Sequence, residues 1–414
     1  MAGGIRSWIR AYKQKELPKN YFRAQVKILR FLGVELMRDE TIKYRIYSCI
    51  MLFIVAIQGT FSEAVEFYAQ WGDLNAIVNV TSYLFTHSIG IIKVMMLFYN
   101  RKKFGKMIKT LHNKPFAPEV NRGGDIEEKY LRQIVRTTER QLMFFFVLTY
   151  VTLFTAAVTF IKSRVFDPKE EWQYPYVPIT IIKTTDSPLF EMVGVYEVIW
   201  VSLYAGLLIT TDILLVTILA HLTIQFMILN NAFKTIRTRS KRMNQNADGT
   251  DENEGVILSK LLGEYIEHHL RVLELAEEME ELCNMVYLLI FTSSVILLCF
   301  LLFQMSLYPI GSVEFIHNIS YYGIIAYQIG MYCFWGNEVT LQAEEVAVAV
   351  AEADWVGAPR SVMKAMVVII ARSQKPLYMT AGKFVNLSID TFMRVIKGSF
   401  SYFMVLQQTQ EETT

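Results

Sequence analysis

The feature that most constrains this chain is a series of long apolar segments separated by charged ones. A helix needs about 20 mostly apolar residues to cross a bilayer. Seven segments, numbered here as spans 1 to 7, approach that length: residues 45–67, 77–99, 141–162, 191–217, 285–307, 318–336 and 380–406. Charged residues make up only 19% of the chain, below the roughly 25% of soluble proteins. We therefore predict an all-α membrane protein with seven transmembrane helices, of which span 7 is the least hydrophobic.

The distribution of positive charge predicts the orientation. Cytoplasmic loops of membrane proteins carry an excess of Lys and Arg. Residues 1–45 and the segments between spans 2 and 3, 4 and 5, and 6 and 7 hold 33 such residues, against 3 on the other side. The N-terminus is therefore predicted to be cytoplasmic and the C-terminus extracellular. This is the reverse of a G-protein-coupled receptor, and the chain also lacks the Asp-Arg-Tyr and Asn-Pro-x-x-Tyr motifs of that class.

The predicted organisation divides the chain into six segments. They are a cytoplasmic segment with an amphipathic helix (1–44), spans 1–4 (45–217), an intracellular helical hairpin (218–284), spans 5 and 6 (285–336), an intracellular helical segment (337–379), and span 7 with a short extracellular tail (380–414). The amphipathic helix is expected either to lie on the cytoplasmic membrane surface or to pack on the protein. In the hairpin, a basic helix and an acidic helix are expected to pack antiparallel.

The sequence contains no motif typical of an enzyme or of a metal site. No dinucleotide-binding, Walker, Gly-x-Ser-x-Gly or His-Glu-x-x-His motif is present. The four cysteines include no Cys-x-x-Cys pair, and the adjacent His268 and His269 point to different faces of a helix. We therefore expect no catalytic residue, no metal site and no cofactor. A net charge of only +2 also disfavours a nucleic-acid binder.

Several motifs in the last quarter of the chain form a recognisable pattern. Span 6 closes with Tyr-Cys-Phe-Trp-Gly-Asn-Glu (332–338), followed by Glu-Glu-Val-Ala (344–347) and Glu-Ala-Asp-Trp (352–355). The C-terminal region contains Ser-Tyr-Phe-Met-Val-Leu (401–406). In their order and spacing, these motifs resemble the insect odorant receptor family over roughly residues 330–408. The N-terminal Leu-Arg-Phe-Leu-Gly (29–33) is also similar but less specific.

The resemblance implies an odorant-gated, non-selective cation channel in the plasma membrane of olfactory neuron dendrites. Family members are tetramers in which the last helix lines the pore and intracellular helices form an anchor. Most require a shared co-receptor, and the loop 218–284 has no room for the co-receptor's insertion, so this chain resembles an odorant-tuning subunit. The implied partners are the co-receptor, a small volatile odorant, permeant cations and lipid. The alternatives are a G-protein-coupled receptor and a gustatory-receptor-type channel.

Family members bind odorants in the outer half of the bundle, between helices 2, 3, 4 and 6. The corresponding candidates here are Tyr83, His87, Thr152, Ala156, Phe160, Tyr196, Trp200, Leu203, Tyr321, Tyr322 and Ile325. Such a lining suits a small, mostly apolar, neutral molecule with one polar group. His87 is a candidate hydrogen-bond partner for an ester, aldehyde or alcohol oxygen. Ordinary helix packing is the alternative for each of these residues.

The polar residues of span 7 predict a wet helix face. Positions 383, 390, 394, 397, 401, 405 and 408 recur on one side of a helix. The resemblance assigns Val405 to a hydrophobic constriction, with Ser401 and Gln408 on the same pore face, and such a ring can close by dewetting. A subunit interface is the alternative, and Arg394 and Lys397 fit a cation path poorly. Trp355 is expected to be buried in the intracellular anchor and to support assembly.

Overall fold

The computed structural model describes residues 17–71, 74–119, 122–169, 172–176, 186–245 and 251–413. Within these ranges the chain is almost entirely helical. A π-helical segment, Phe53–Gln58, joins two of the helices without a break. The helices are α1 Arg23–Phe31, α2 Ile42–Leu52, α3 Gly59–Ala69, α4 Leu74–Tyr99, α5 Arg101–Leu111, α6 Asp125–Phe166, α7 Leu189–Lys234, α8 Ile236–Gln245, α9 Asp251–Ser306, α10 Val313–Ala351, α11 Arg360–Ser373 and α12 Ile389–Thr413.

Five helices in the described part of the chain are long and apolar enough to cross a membrane. They are the continuous run from α2 through α3, then α4, α6, α7 and α9. They contain the first five predicted spans. The predicted spans 6 and 7 fall on α10 and α12, which carry more polar residues. The observed helices thus reproduce the predicted all-α organisation.

Helix α7 forms the centre of the bundle. In its most apolar stretch, 94% of the residues are buried inside the protein. A helix that is apolar on all sides is stable in the middle of a bundle, because no face has to meet water. Helices α6 and α10 flank α7 most extensively, and α1, α4 and α9 complete its surroundings. Residues that project from α7 therefore reach several neighbouring helices at once.

Several helices are much longer than the membrane is thick. Helix α6 has 42 residues and α9 has 56, or about 63 and 84 Å at the usual rise, against a hydrocarbon core of about 30 Å. At the predicted cytoplasmic end, the basic α8 packs against the acidic start of α9. Arg237 lies 2.9 Å from Glu254, and Arg239 donates a hydrogen bond to the Tyr265 hydroxyl at 3.0 Å. The expected antiparallel packing of basic and acidic helices is observed.

Helix α1 packs on the protein, which is one of the two alternatives left open by its sequence. Phe22 and Leu29 are fully buried, and Gln25 donates a hydrogen bond to Thr217 of α7 at 3.0 Å. The backbone N–H of Tyr21 donates to Nε2 of His112 at 3.0 Å. Burial lowers the pKa of His112, which keeps this ring nitrogen free to accept the bond.

The prediction that span 7 starts at residue 380 is wrong by nine residues. Residues 380–386 form an antiparallel hairpin in which β1 (Thr380–Ala381) pairs with β2 (Val385–Asn386), Thr380 opposite Asn386. Gly382 and Lys383 at its turn both have a φ of 62°, which a right-handed helix cannot contain. Helix α12 begins at Ile389, one residue after Ser388, whose hydroxyl accepts from the Thr391 N–H. Lys383 therefore does not share a helix face with Val405.

Trp355 is only partly buried in the single chain, and its expected burial in the anchor stays a prediction. Helix α10 ends at Ala351, and the chain turns through Gly357, which has a φ of 76°. The Trp355 ring is only half-buried, and its Nε1 donates to the Ala351 carbonyl at 3.4 Å. The turn carries the indole to the edge of the helical bundle instead of into its core.

Candidate functional site

A cavity of about 120 Å³ lies inside the bundle between α4, α6, α7, α9 and α10. Its walls are mainly aliphatic and aromatic. Tyr176, from the segment between α6 and α7, covers one end and meets the ring of Tyr83 edge-on. The apolar side chains of the wall are Ile89, Phe145, Leu153, Val201, Leu208, Ile209, Ile290, Leu297, Ile324 and Ile325. A cavity of this kind is typical of a binding site for a small molecule.

The cavity brings together five of the eleven residues predicted to bind ligand: Tyr83, His87, Thr152, Tyr321 and Ile325. They come from α4, α6 and α10, and they lie at the predicted outer ends of these helices. These five residues share one cavity, and their role in binding a ligand stays a prediction. Ala156 and Leu203 pack elsewhere in the core.

Four other predicted residues have identifiable partners away from the cavity. The ring of Phe160 packs on Phe190, whereas Tyr196 lies at the surface and donates to Gln58. Trp200 donates its indole N–H to the Val55 carbonyl at 2.9 Å, and its ring also lies edge-on to that of His87, which lines the cavity, at 5.3 Å. Tyr322 faces Ser399 of α12. Their surroundings match the packing alternative.

The outer end of the cavity holds a chain of hydrogen bonds. His317 lies 3.2 Å from the Thr155 hydroxyl through Nδ1 and 3.1 Å from the Tyr83 hydroxyl through Nε2. The hydroxyls of Thr86 and Tyr321 are 2.6 Å apart. These groups therefore orient one another, and they fix the shape of the aromatic end of the cavity.

A buried charge network forms the inner end of the cavity. The Lys93 ammonium lies 2.6 Å from Oδ1 of Asp212, and their side chains are 3% and 2% exposed. Tyr332 donates to the same oxygen at 2.7 Å, and Gln328 donates to Oδ2 at 2.8 Å. The carboxylate thus ties α4, α7 and α10 together. A charged group inside a membrane protein is costly and faces the bundle interior, where it is often part of a functional site.

His87 and Glu63 form a second buried pair. Nδ1 of His87 lies 2.7 and 2.8 Å from the two carboxylate oxygens of Glu63 on α3, and both side chains are buried. The backbone carbonyl of His87 accepts a hydrogen bond from the Tyr204 hydroxyl at 2.6 Å. Only Nε2 is left to meet a ligand, so the predicted role of His87 toward an odorant oxygen rests on that atom.

Lys93, Asp212 and the α9 residues of the cavity were not among the predicted ligand-binding residues. Ser293, Ser294 and Leu297 were missed because the family resemblance directed attention to helices 2, 3, 4 and 6. Lys93 and Asp212 did have a signal in the sequence. Lys93 is the only charged residue of span 2, and Asp212 lies in the apolar stretch of span 4 that follows Glu197. A charge in such surroundings marks a candidate functional residue in a membrane helix.

The predicted pore residues lie on α12. Ser401, Val405 and Gln408 are exposed in the single chain, as are Asp390, Arg394 and Lys397. Large apolar residues on the same helix, including Phe400 and Tyr402, are also exposed. Among the residues that the structure describes, no group of three or more His, Cys, Asp or Glu side chains could hold a metal ion.

The fold and the cavity together define an all-helical, multi-pass membrane protein with a cavity between its helices. The model of the 7tm Odorant receptor family matches residues 73–400, and the chain belongs to this family. This membership confirms the predicted family and the expectation that the chain is not an enzyme. It also argues against the G-protein-coupled alternative.

Individual relatives agree with the family assignment. The chain is 23% identical to Odorant receptor Or2 of Anopheles gambiae over 354 residues, which is 86% of this chain and 90% of that protein. It is 26% identical to Odorant receptor 10 of Aedes albopictus, but that alignment spans 42% of this chain and about half (46%) of the relative. An odorant receptor coreceptor of Aedes albopictus also matches, at 24% identity over 40% of this chain.

A solved structure with the same fold is that of the insect olfactory receptor OR5 from Machilis hrabei in complex with eugenol. The TM-score is 0.79 at 15% sequence identity, and the match covers 94% of this chain and 98% of that one. The likeness confirms the predicted seven-transmembrane, all-α fold.

Proposed function

We propose that this protein is the odorant-binding subunit of a ligand-gated, non-selective cation channel. In this proposal it assembles with an odorant receptor co-receptor as a tetramer in the plasma membrane of olfactory neuron dendrites. The observation that carries the proposal is the cavity of about 120 Å³, mainly apolar and with a few oriented polar groups, inside an odorant receptor fold. A small volatile molecule with an apolar body suits such a site.

The surface of α12 supports a role in assembly and conduction. Val405 is 59% exposed and Tyr402 is 62% exposed in the single chain. A contiguous apolar face on a helix with exposed charges is typical of a surface that other subunits cover. Helix α12 packs on α9 and α10, and α10 carries Gln328 and Tyr332 of the charge network. A shift of α10 on ligand binding would therefore reach the helix that is proposed to line the pore.

Recording of current tests this proposal directly. Cells that express this chain together with a co-receptor should carry a cation current when exposed to members of a panel of volatiles. Cells that express either protein alone should respond far less. The proposal would be contradicted if both proteins reached the cell surface normally but no volatile of the panel gave a current. It would also be contradicted if a tag on the C-terminus of this chain were not found outside the cell.

Replacing Val405 with serine is expected to raise the current measured without odorant. A closed apolar ring excludes water and ions, and a hydroxyl at the ring favours wetting. The midpoint of the dose–response curve should move less than the baseline, because the cavity lies elsewhere in the bundle. Patch-clamp recording with the co-receptor present measures both quantities.

Two variants serve as controls for the Val405 experiment. Val405→Ile keeps the ring apolar and should leave the baseline low. Val368→Ser places the same polar side chain on an exposed position of α11, outside the proposed pore, and should leave the baseline unchanged. If Val405→Ser behaves like Val368→Ser at equal surface expression, this face of α12 does not line the constriction.

A further inference from the structure

The cavity wall contains a buried threonine hydroxyl with no hydrogen-bond partner in the described part of the chain. Thr149 of α6 lines the cavity and is 7% exposed, and its Oγ1 has no partner among the residues that the structure describes. A buried hydroxyl without a partner is costly to a protein and is rare. An unpaired donor in the wall of a cavity is explained if a bound molecule supplies the missing acceptor.

Of the other hydroxyls around the cavity, only that of Tyr176, which covers one end, likewise has no partner among the residues that the structure describes. The Thr86 hydroxyl donates its one proton to the Ser82 carbonyl at 2.9 Å. Its 2.6 Å contact with Tyr321 is therefore a hydrogen bond that the Tyr321 hydroxyl donates to Thr86. The Tyr83 hydroxyl pairs with Nε2 of His317 at 3.1 Å. The other threonine and serine hydroxyls of the wall donate to backbone carbonyls within their own helices: Thr152 to Leu148 (3.3 Å), Ser293 to Ile290 (2.9 Å) and Ser294 to Ile290 (2.6 Å).

Lys93 also has hydrogen-bond donors that are not used within the described part of the chain. An ammonium group has three donors, and the one hydrogen bond of Lys93 within the described part of the chain goes to Asp212. Asp212 in turn accepts from Tyr332 and Gln328 as well, so its oxygens are well satisfied. The Lys93 ammonium, which lines the cavity, can therefore donate a further hydrogen bond to a bound molecule.

Charge balance sets a further limit on the ligand. The charge of Lys93 is already matched by Asp212 at 2.6 Å. An anionic ligand would leave one negative charge unbalanced in a buried site, and an ammonium ligand would bring more donors and no acceptor. A neutral molecule with an acceptor oxygen satisfies the hydrogen bonds without disturbing this balance.

We propose that Thr149 and Lys93 select neutral ligands that carry a carbonyl oxygen, such as small ketones, aldehydes and esters. Thr149 is then a specificity-determining residue of the cavity. The proposal rests on the odorant-binding function proposed above, and it adds the chemical class of the ligand. The apolar body of the ligand would lie along Leu297 and Ile325, opposite the donors.

The test compares cyclohexanone, methylcyclohexane and cyclohexylamine, which share a ring but differ in their polar group. Binding is measured as the increase in melting temperature of the purified full chain, and gating as current from cells that also express the co-receptor. Cyclohexanone should stabilise the protein more than the other two compounds. In Thr149→Val, the apparent affinity for cyclohexanone should fall about 2- to 13-fold, the usual effect of one lost hydrogen bond, while that for methylcyclohexane should hold.

Matched variants separate loss of the hydroxyl from a general effect on folding. Thr149→Ser keeps the hydroxyl and should restore the preference for cyclohexanone. Thr138→Val makes the same substitution on α6 at a buried threonine outside the cavity, whose hydroxyl donates to Ile134, and should not change the preference. Equal losses for cyclohexanone and methylcyclohexane in Thr149→Val, or stronger binding of cyclohexylamine by the natural chain, would overturn the assignment. Selective stabilisation by cyclohexanone with no current would support the ligand class and contradict the channel function.

Discussion

Asp212→Leu should destabilise this receptor by about 3–5 kcal/mol, the usual cost of removing one partner of a buried ion pair. The Asp212 carboxylate is 2% exposed and is the acceptor for Lys93, Tyr332 and Gln328. Without it, the Lys93 ammonium is left charged in an apolar site, and the two other donors lose their acceptor. Total stabilities of proteins are about 5–15 kcal/mol. The variant should therefore show a much lower melting temperature in detergent and little surface expression.

The matched control is the double variant Lys93→Met with Asp212→Leu. Removing both charges avoids the isolated ammonium, and well-packed apolar replacements of a buried pair are often neutral or stabilising. The double variant should therefore recover most of the lost melting temperature. Glu274→Gln disrupts an exposed pair, Arg271 with Glu274 at 3.0 Å, and should change stability by less than about 1 kcal/mol. A double variant as unstable as Asp212→Leu would show that the charge left on Lys93 is not the cause.

Gly105→Ala should be the most damaging single-methyl change on the intracellular side. Gly105 is buried in α5, and a Cβ at this position would lie 2.0 Å from the carbonyl oxygen of Leu36. Carbon and oxygen atoms cannot approach so closely, and the neighbour is backbone that cannot rotate away. Overpacking costs about 1–3 kcal/mol, occasionally more, and we expect the upper end of this range. The melting temperature of the purified protein measures the effect.

Gly263→Ala is the control for this substitution. Gly263 lies on an exposed position of α9, and an added Cβ would meet nothing within 4 Å. In a helix, alanine is favoured over glycine by about 0.5–1 kcal/mol. The melting temperature of this variant should hold or rise slightly. A Gly105→Ala variant as stable as Gly263→Ala would mean that α5 and the segment before α2 can separate at little cost.

The helical organisation could be predicted from sequence because it depends on local properties. Spans 1 to 6 were each found within an observed helix, since about 20 apolar residues in a row leave few structures other than a buried or membrane-crossing helix. The predicted start of span 7 was wrong because the hairpin at 380–386 is held by hydrogen bonds to residues far away in the sequence. Gly382 donates to the Asn284 carbonyl, and the Thr380 N–H donates to Glu280. Partners a hundred residues away leave no periodic signal in the segment itself.

Only part of the predicted ligand-binding set lines one cavity, and the binding role of these residues stays a prediction. Tyr83, His87, Thr152, Tyr321 and Ile325 line the cavity as expected. Trp200 and Tyr196 lie on the side of α7 that faces the first span. There they form hydrogen bonds with Val55 and Gln58, and these bonds depend on how α7 packs against that span. A one-residue change along a helix rotates a side chain by about 100°, so the choice of lining residues depends on the rotation of each helix.

The sequence by itself determined that this chain crosses a membrane many times as helices, carries its positive charge in alternate loops, and resembles the odorant receptor family. These properties follow from residue order along single segments, and the bilayer imposes them on each segment separately. Only the tertiary structure decided that Lys93 and Asp212 meet, that α9 contributes to the cavity, and that Thr149 is left with an unused hydroxyl. Each of these facts requires several helices to be brought together at fixed rotations. Packing between helices sets those rotations, and no single segment contains the information.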